Sequence, residues 1–596
     1  MTVFTGYVNN DGLRTLLILL ALSLRPSEAL LAADVLTAQY DNARTASNPS
    51  EVYLSTINVN PARFGKLFTR TLDGWVFAQP LYMKNVAVPG HATVNLVFVC
   101  TAHNTVYAFD ADNAAVSAPY WSRNLGPSDT TPNTFASPNS EDETGIVATP
   151  VIVPALHALY VLVATREFGQ RVFRLHALDI STGQEQFGGP VVVAGHVVGN
   201  APDAVNGLVN FNPTFHLQRS ALAYVNHTVY VGFAGVRDIP PFHGWLFGYD
   251  AATLNQTAVF DITPNGYGGG IWHGGRAPAA DDATGSIYLE TGNGNFDGTA
   301  NLSNSVLKFS SAQQSLAVTG RFTPSDWQTL SDNDLDLSSA GPLLIPGTRF
   351  LVTGGKAGVL YLLDSTAMGN TTPDNIVQRF QATPACPPSS LGCHRIHSFS
   401  FWNSPATPTL YLWADGDVPR SWAWSGGGLT PNATPGTRVA GYPGASLTVS
   451  SYSGTPRTGI LWGLSGDNST GAASLRAFDA LDLSKELWNS DMNAARDAMG
   501  QFGKFSVPVV ANGKVYAGNF SSQLVVYGLL NGPVPGDANA DGIVDCSDAA
   551  IVQAAFGKSS SQPGFDLRAD LNSDGVVNVR DLMLVTQRLP TGVVCH

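Results

Sequence analysis

Between Asp34 and Leu530 one pattern recurs: a β-rich run, a turn, then a second short run ending in an aromatic residue or Leu, often with Asp. The clearest copies are Leu96 to Asp110, Leu159 to Asp179, Val229 to Asp250 and Ile287 to Phe309. Further copies run from Phe350 to Asp364, Leu410 to Trp424, Ile460 to Asp479 and Val515 to Tyr527. Eight copies spread over about 500 residues give ~62 residues each, longer than common blade repeats and compatible with four strands plus inserted loops. A twisted four-stranded sheet buries both faces only between neighbours, so a closed ring is the expected solution. The predicted fold class is therefore all-β, an eight-bladed β-propeller. A two-sheet sandwich needs about seven strands per ~100 residues and does not account for eight similar hairpins.

Composition agrees with short strands and many tight turns. Of 596 residues only 13% are charged and 44% are hydrophobic, with 60 Gly and 37 Pro. The formal net charge of −13 and the lack of a Lys/Arg stripe argue against a nucleic-acid partner. Arg14 precedes the apolar run Leu16 to Leu24, and small residues follow through Ala29 and Ala33. Residues 1–33 thus read as a secretory signal, with cleavage after Ala29 or after Ala33. The run is too short for the ~20 residues of a membrane helix, and no second run is long enough, so no membrane span is expected and the mature protein is expected outside the cell.

Five cysteines fit an oxidising compartment. Cys386 and Cys393 flank a Pro-rich loop they could close, and Cys546 and Cys595 lie near the two ends of the terminal segment, where a bridge would staple it. Cys100, in an apolar strand-like run, reads as a buried, inert thiol.

After Leu530 the composition changes at a turn-rich joint, Asn531 to Gly536, and two acidic loops follow. The first places Asp537, Asn539, Asp541, Gly542, Ile543, Asp545 and Asp548 at loop positions 1, 3, 5, 6, 7, 9 and 12. The second repeats it with Asp570, Asn572, Asp574, Gly575, Val576, Asn578 and Asp581. Alternate side chains at positions 1, 3 and 5 turn toward a hard cation, position 7 offers its backbone carbonyl and the twelfth carboxylate closes the shell. Two calcium ions are therefore expected. Ile551, Val552 and Phe556, then Leu582, Val585 and Leu589, recur at helical spacing after the loops, ended by Gly557 and Pro590. The first loop offers four carboxylates and the second three, which predicts tighter binding by the first.

These loop-then-helix units resemble a type I dockerin, the domain that plugs an enzyme or accessory protein into a cohesin; the likeness spans Gly536 to the C-terminus. The resemblance implies a cohesin-type partner. Family contacts often involve positions ten and eleven of each loop, which are Cys546 and Ser547 in the first and Val579 and Arg580 in the second. The chain is thus divided into 1–33, a propeller at 34–531 and a dockerin at 532–596.

The propeller copies in turn resemble the quinoprotein, or pyrroloquinoline-quinone-repeat, propellers: the segments VYAFDAD at Val106 to Asp112, LYLLD at Leu360 to Asp364 and LRAFDALDLSKELW at Leu475 to Trp488 look like their blade signature. In the dehydrogenase branch the resemblance implies a quinone and calcium over the central channel. Tyr288 to Asn293 looks like the segment whose Asn holds that calcium, which maps onto Asn293. Thr323 to Trp327 resembles the region before the catalytic Asp, but Gln328 follows the Trp and cannot accept a proton. Asp326, Asp332, Asp334 or Asp336 could substitute only with a shift of register, and the dehydrogenases' vicinal cysteine pair is missing. The quinone is therefore not the favoured cofactor.

Three other motifs stand out. Gly268 to His273 could bring an aromatic face and an imidazole to the channel, or simply join two strands. Cys393-His394-Arg395-Ile396-His397 has metal-like letters without further ligands at fixed spacing, and Glu143 reads as a solvated loop acid. The expected function is a secreted, calcium-dependent docking protein whose propeller is a platform for polysaccharide or another small ligand, linked to extracellular polysaccharide breakdown. The alternative is an enzyme, a quinone-dependent dehydrogenase or a carbohydrate-active hydrolase or lyase; no catalytic set is identified for it.

Overall fold

The computed structural model describes residues 33–130, 143–310, 316–368, 376–385, 394–431, 435–452, 457–466, 471–532, 534–539, 541–559, 562–572, 575–590 and 592–595. The chain divides into a large unit, Ala32–Gly532, and a small one containing Pro533–His596.

The large unit is an eight-bladed propeller in which each blade is built on four antiparallel strands ordered from the ring axis outward; the seventh carries a further strand, Ser47–Glu51, paired parallel at its inner edge. The first blade comprises Leu81–Ala87, Thr93–Cys100, Thr105–Asp110 and Trp121–Asn124. The inner antiparallel strands of the second to seventh blades are Val151–Val153, Ala223–Val225, Ala279–Asp281, Leu343–Leu344, Phe399–Trp402 and Ser446–Tyr452. In the eighth blade Val509–Ala511, Lys514–Gly518 and Gln523–Leu529 are completed by Phe64–Thr71, which pairs antiparallel with Gln523–Leu529. A strand from near the start of the ring therefore finishes its last blade and joins the two ends of the ring within one sheet.

Each repeat recognised in the sequence is the middle hairpin of one blade, and its recurrent Asp has a local task. Asp110, Asp179, Asp250, Asp364 and Asp479 each end a third strand and accept, on Oδ1, the backbone N–H two residues further on. This side-chain turn ends the strand and satisfies a donor that the ladder no longer reaches. Tight hairpins use residues that tolerate left-handed backbone: Asn512 and Gly513, with φ of 50° and 73°, join Val509–Ala511 to Lys514–Gly518 in the turn whose twist matches the strands.

The core is distributed around the ring, one apolar cluster per blade interface. Phe98 and Val161 meet between the first two blades, Tyr160 and Trp245 between the next two, and Trp462 and Tyr527 between the seventh and eighth. Tyr82 and Tyr516 close the ring between the eighth and the first. A blade face exposed by opening the ring would lose such a cluster, and burying one large apolar side chain stabilises by roughly 1.5–3 kcal/mol.

The axis is occupied by the chain itself. Residues 35–48 form a strap that touches the inner region of every blade. Val35 exchanges backbone bonds with Tyr82, and Leu36 O accepts from Ile152 N. Asn42 Nδ2 donates to Tyr224 O, and Asn42 O accepts from Ala280 N. Ala43 O, Thr45 O and Ala46 O accept from Leu344, Phe401 and Val449, and Asn48 Nδ2 donates to Val510 O. Buried Arg44 ties the strap to itself through Thr37 and Ala38 and reaches Pro278 O from Nε.

In the small unit two helices, Cys546–Ala554 and Val579–Thr586, each begin with a reciprocal capping box, Asp545 with Asp548 and Asn578 with Asp581. Val544, Val552, Val577 and Val585 are among its core residues. The bridge expected between Cys546 and Cys595 is formed, while Cys386 and Cys393 lie outside the described residues. Cys100 is buried and burial pushes its thiol up, in keeping with an inert role.

Candidate functional sites: a ring cavity and two acidic loops

The segments that enter the inner strands, with turns between second and third strands, meet at one end of the ring around a cavity of about 350 Å3. Arg219, Trp272, Asp334, Asp336, His397 and Lys504 come from entering segments, and Arg237, Asp238 and Lys356 from the turns. A pocket of this size is at the small end of ligand sites.

One wall is a network of paired charges. Lys356 Nζ lies 2.7 Å from Asp334 Oδ1 and 2.6 Å from Asp336 Oδ2. Burial would lower the Lys356 pKa, but Asp336 and Asp334 outweigh it and hold the ammonium charged. Asn293 N donates to Asp336 Oδ1 at 2.8 Å, and Asn293 Nδ2 to Asp334 Oδ1 at 3.1 Å. Gly292 permits this approach, since a Cβ there would stand 2.3 Å from Asp336 Oδ1.

Further cations line the cavity. The Arg219 guanidinium lies 4.6 Å from the Phe505 ring centroid and 5.2 Å from that of Trp272, a cation–π arrangement. Burial and the charges of Arg219 and Arg237 push the Lys504 ammonium down to about 7. Asp238 is raised to about 7, by burial and by Asp336. In the same cavity His397 is 8% exposed, its ring beside the Ser339 backbone and the rings of Phe505 and Tyr442. Burial, then the charges of Lys356 and Arg219, hold this imidazole neutral.

Several residues singled out in the sequence converge here, in altered roles. Trp272 lines the cavity, whereas His273 is buried behind it and accepts from Glu290 N on Nε2. Gln328 is exposed on the short helix Trp327–Asp332 and donates to Asp332; Asp334 and Asp336, further along, reach the cavity instead. His394 is bonded to the Asp415 carbonyl, and Glu143 takes hydrogen bonds with His103 and Ser128. Arg219, Arg237, Lys356 and Lys504 were missed because each stands alone in the sequence, in a different loop.

The residues present do not fit a quinone paired with calcium. Asn293 Oδ1 already accepts from Asn304 Nδ2 at 3.1 Å, and Asp336 is shared between Lys356 and the Asn293 backbone.

The acidic loops supply the right donor types in the right order. In the first, Asp537 Oδ2 accepts from Gly542 N at 2.6 Å, and Asp548 Oδ1 and Oδ2 accept from Asn539 N and Asp545 N. Burial pushes the Asp537 carboxyl up to about 6, with the charges of Asp548 and Asp541 adding to the rise, the mutual repulsion that a bound dication relieves. In the second, Asp570 Oδ2 accepts from Gly575 N, and Asp581 accepts from Asn572 N and Asn578 N; Asp574 lies outside the described residues. Gly542 and Gly575 hold φ of 85° and 82°, which favours glycine at both sharp turns. The donor chemistry fits calcium in both loops.

The fold and these loops define an eight-bladed propeller protein with a duplicated calcium-loop module. The module is a type I dockerin: residues 535–590 match the Dockerin type I domain family. The fold is similar to that of a quinohemoprotein alcohol dehydrogenase, ADHIIG, from Pseudomonas putida HK5, with a TM-score of 0.56 and 14% identity over 94% of this chain and 88% of that one. A europium-containing methanol dehydrogenase aligns with a TM-score of 0.49 and 13% identity over 86% of this chain and 100% of that one. At these identities the likeness concerns the fold alone. Comparison with curated proteins gives no match.

Proposed function

We infer that this is a secreted, calcium-binding protein that docks through residues 532–596 onto a cohesin-type partner, holding the propeller at 34–531 as a binding platform in extracellular polysaccharide breakdown. The observation that carries the reading is the duplicated loop, each copy with its sharp glycine turn, its first and twelfth carboxylates bonded into the loop backbone and its capped helix. The proposed ligands are Asp537, Asn539, Asp541, the Ile543 carbonyl, Asp545 and Asp548, then Asp570, Asn572, Asp574, the Val576 carbonyl, Asn578 and Asp581. Export through residues 1–33 is supported by the Cys546–Cys595 bridge, which needs an oxidising compartment. No helix among the described residues is long and apolar enough to cross a membrane.

The test is capture of the full chain on immobilised type I cohesin domains in calcium and in chelator. Retention in calcium and release by chelator is expected. Retention that ignores the chelator, or none from a panel of cohesins in calcium, overturns the docking role.

A further inference from the structure

We propose that His243 is a protonation switch behind the ring cavity: as an imidazolium it clamps the hairpin at residues 196–210 and three segments that line this side of the cavity, and on losing its proton it lets them loosen. This rests on the reading of the propeller as a ligand platform and names how that platform is regulated. Its test needs no ligand, so its failure leaves the platform standing.

The geometry calls for the charge. His243 is fully buried, and both of its ring nitrogens face acceptors. Nε2 lies 3.2 Å from Asp203 Oδ1. Nδ1 lies 3.3 Å from Asp261 Oδ2, 3.1 Å from Thr263 Oγ1 and 3.2 Å from Thr263 O. The Thr263 hydroxyl gives its own proton to Gly268 O at 3.1 Å, so toward the ring it is an acceptor as well. A neutral imidazole has one N–H and would turn a lone pair on one of these oxygens; only the imidazolium donates on both sides. Burial opposes the charge, but Asp261 and Asp203 outweigh it and raise the His243 pKa above its ordinary value.

The other titratable group facing His243 is His216, whose Nε2 accepts from His243 N at 3.1 Å, and the Trp245 ring stands edge-on at 6.2 Å. His216 donates from Nδ1 to Asn212 O at 2.6 Å, and burial pushes its pKa down to about 4, so it stays neutral while His243 titrates. Arg171 reaches this group only at the His216 carbonyl and pairs with Asp129.

What His243 ties together is the cavity wall. Asp203 lies in the loop of a separate two-stranded sheet, His196–Val198 with Leu208–Asn210. Beyond it His216 and Leu217 pair with Gly235 and Ala234, the first pair leading to Leu217 and Arg219 of the wall and the second to Val236, Arg237 and Asp238. Gly268, which accepts from Thr263 and from Gly244 N, opens the segment that reaches Trp272. Asp203 is 24% exposed whereas Asp261 is buried, so when the proton leaves, water competes for Asp203 and the hairpin loop parts from the blade. The folded protein holds this proton more tightly than the unfolded chain; the clamp is therefore complete below the ordinary histidine value and is lost as pH rises through the raised one.

Hydrogen exchange of the full chain in calcium, followed by mass spectrometry from about pH 5.5 to 9.5 and corrected for intrinsic amide chemistry, tests this. Peptides covering 196–219 and 236–243 are expected to exchange about tenfold faster at the upper end. Strands Lys514–Gly518 and Gln523–Leu529 of the eighth blade should keep their protection, which separates local loosening from global unfolding. Exchange of the imidazole C2 hydrogen should place the His243 midpoint at the same pH as the loosening. Asp203→Asn should move both midpoints to lower pH, because one of the two carboxylates that hold the proton is gone, and His243→Gln should abolish the pH dependence. Should His243→Gln fail to fold, Asp203→Asn, on the partly exposed loop, still decides. Protection unchanged across the range, a C2 midpoint at or below the ordinary histidine value, midpoints unmoved by Asp203→Asn, or loosening that persists in His243→Gln overturns the switch.

Discussion

Arg276 Nη2 lies 2.5 Å from the carbonyl oxygen of Arg44, so one buried arginine reads the backbone of another and fastens the axial strap to the ring. Arg276 Nη1 also donates to Phe399 O at 2.8 Å, which joins the fourth and sixth blades through one side chain. Replacing Arg276 by Met leaves two buried carbonyls without these donors, and each such group costs about 1–3 kcal/mol. Chemical denaturation should show a loss of roughly 2–5 kcal/mol; an unchanged midpoint would mean that the strap does not depend on this tie.

Glu290 is buried beneath the ring end, with Oε1 2.5 Å from Thr353 Oγ1 and Oε2 accepting from Gly341 N. Burial pushes its carboxyl up to about 8, against an ordinary value of 4.5. The folded state then holds a proton that the unfolded chain releases above about 4.5. Its contribution to stability is complete below that pH and is lost as pH rises through 8, by up to about 1.4 kcal/mol per unit. Denaturation of the parent protein should fall more steeply than that of Glu290→Gln between pH 5 and 8; parallel curves would contradict the assignment.

The first calcium loop carries one carboxylate more than the second, at Asp545 against Asn578. Calcium titration of Asp570→Ala, which leaves the first loop intact, should give a dissociation constant roughly tenfold lower than that of Asp537→Ala, since charge count tunes such loops. Equal values would remove the distinction. With a chelator, amide exchange in Cys546–Ala554 and Val579–Thr586 should accelerate, because the module has little core to hold it.

The two halves of the dockerin differ where a partner would meet them. Val579 and Met583, 59% and 47% exposed, sit one turn apart on the second helix. Their counterparts on the first helix are Cys546, tied to Cys595, and Ala550. Met583→Asp should weaken cohesin capture by about 30-fold or more, the effect of losing an interface hot spot, whereas Ala550→Asp should change it little. Equal losses would indicate that both halves serve.

The eight hairpins were readable because their signature has a local cause: paired apolar runs in each and, in five of them, an Asp that makes its own turn, as at Asp110 and Asp479. The calcium loops were readable for the same reason, since every donor of a loop falls within twelve residues. The strap carried no such mark. Val35 to Asn48 bond mainly through backbone atoms to a different neighbour at each step, so no side-chain period betrays them. The cavity was hidden by topology, which brings Arg219, Lys356, His397 and Lys504 together from four distant loops. Asp336 illustrates the limit: likeness to a known segment drew attention to Gln328, while the turn after the short helix decided which carboxylate reached the wall.

Because Phe64–Thr71 waits for Gln523–Leu529, and the strap ends against Val510, the ring cannot shut until its final blade has been made. The dockerin is synthesised later still. A chain cut short during synthesis anywhere inside the ring therefore lacks the calcium-loop module as well, so every molecule that carries the module also has every strand its body needs to close.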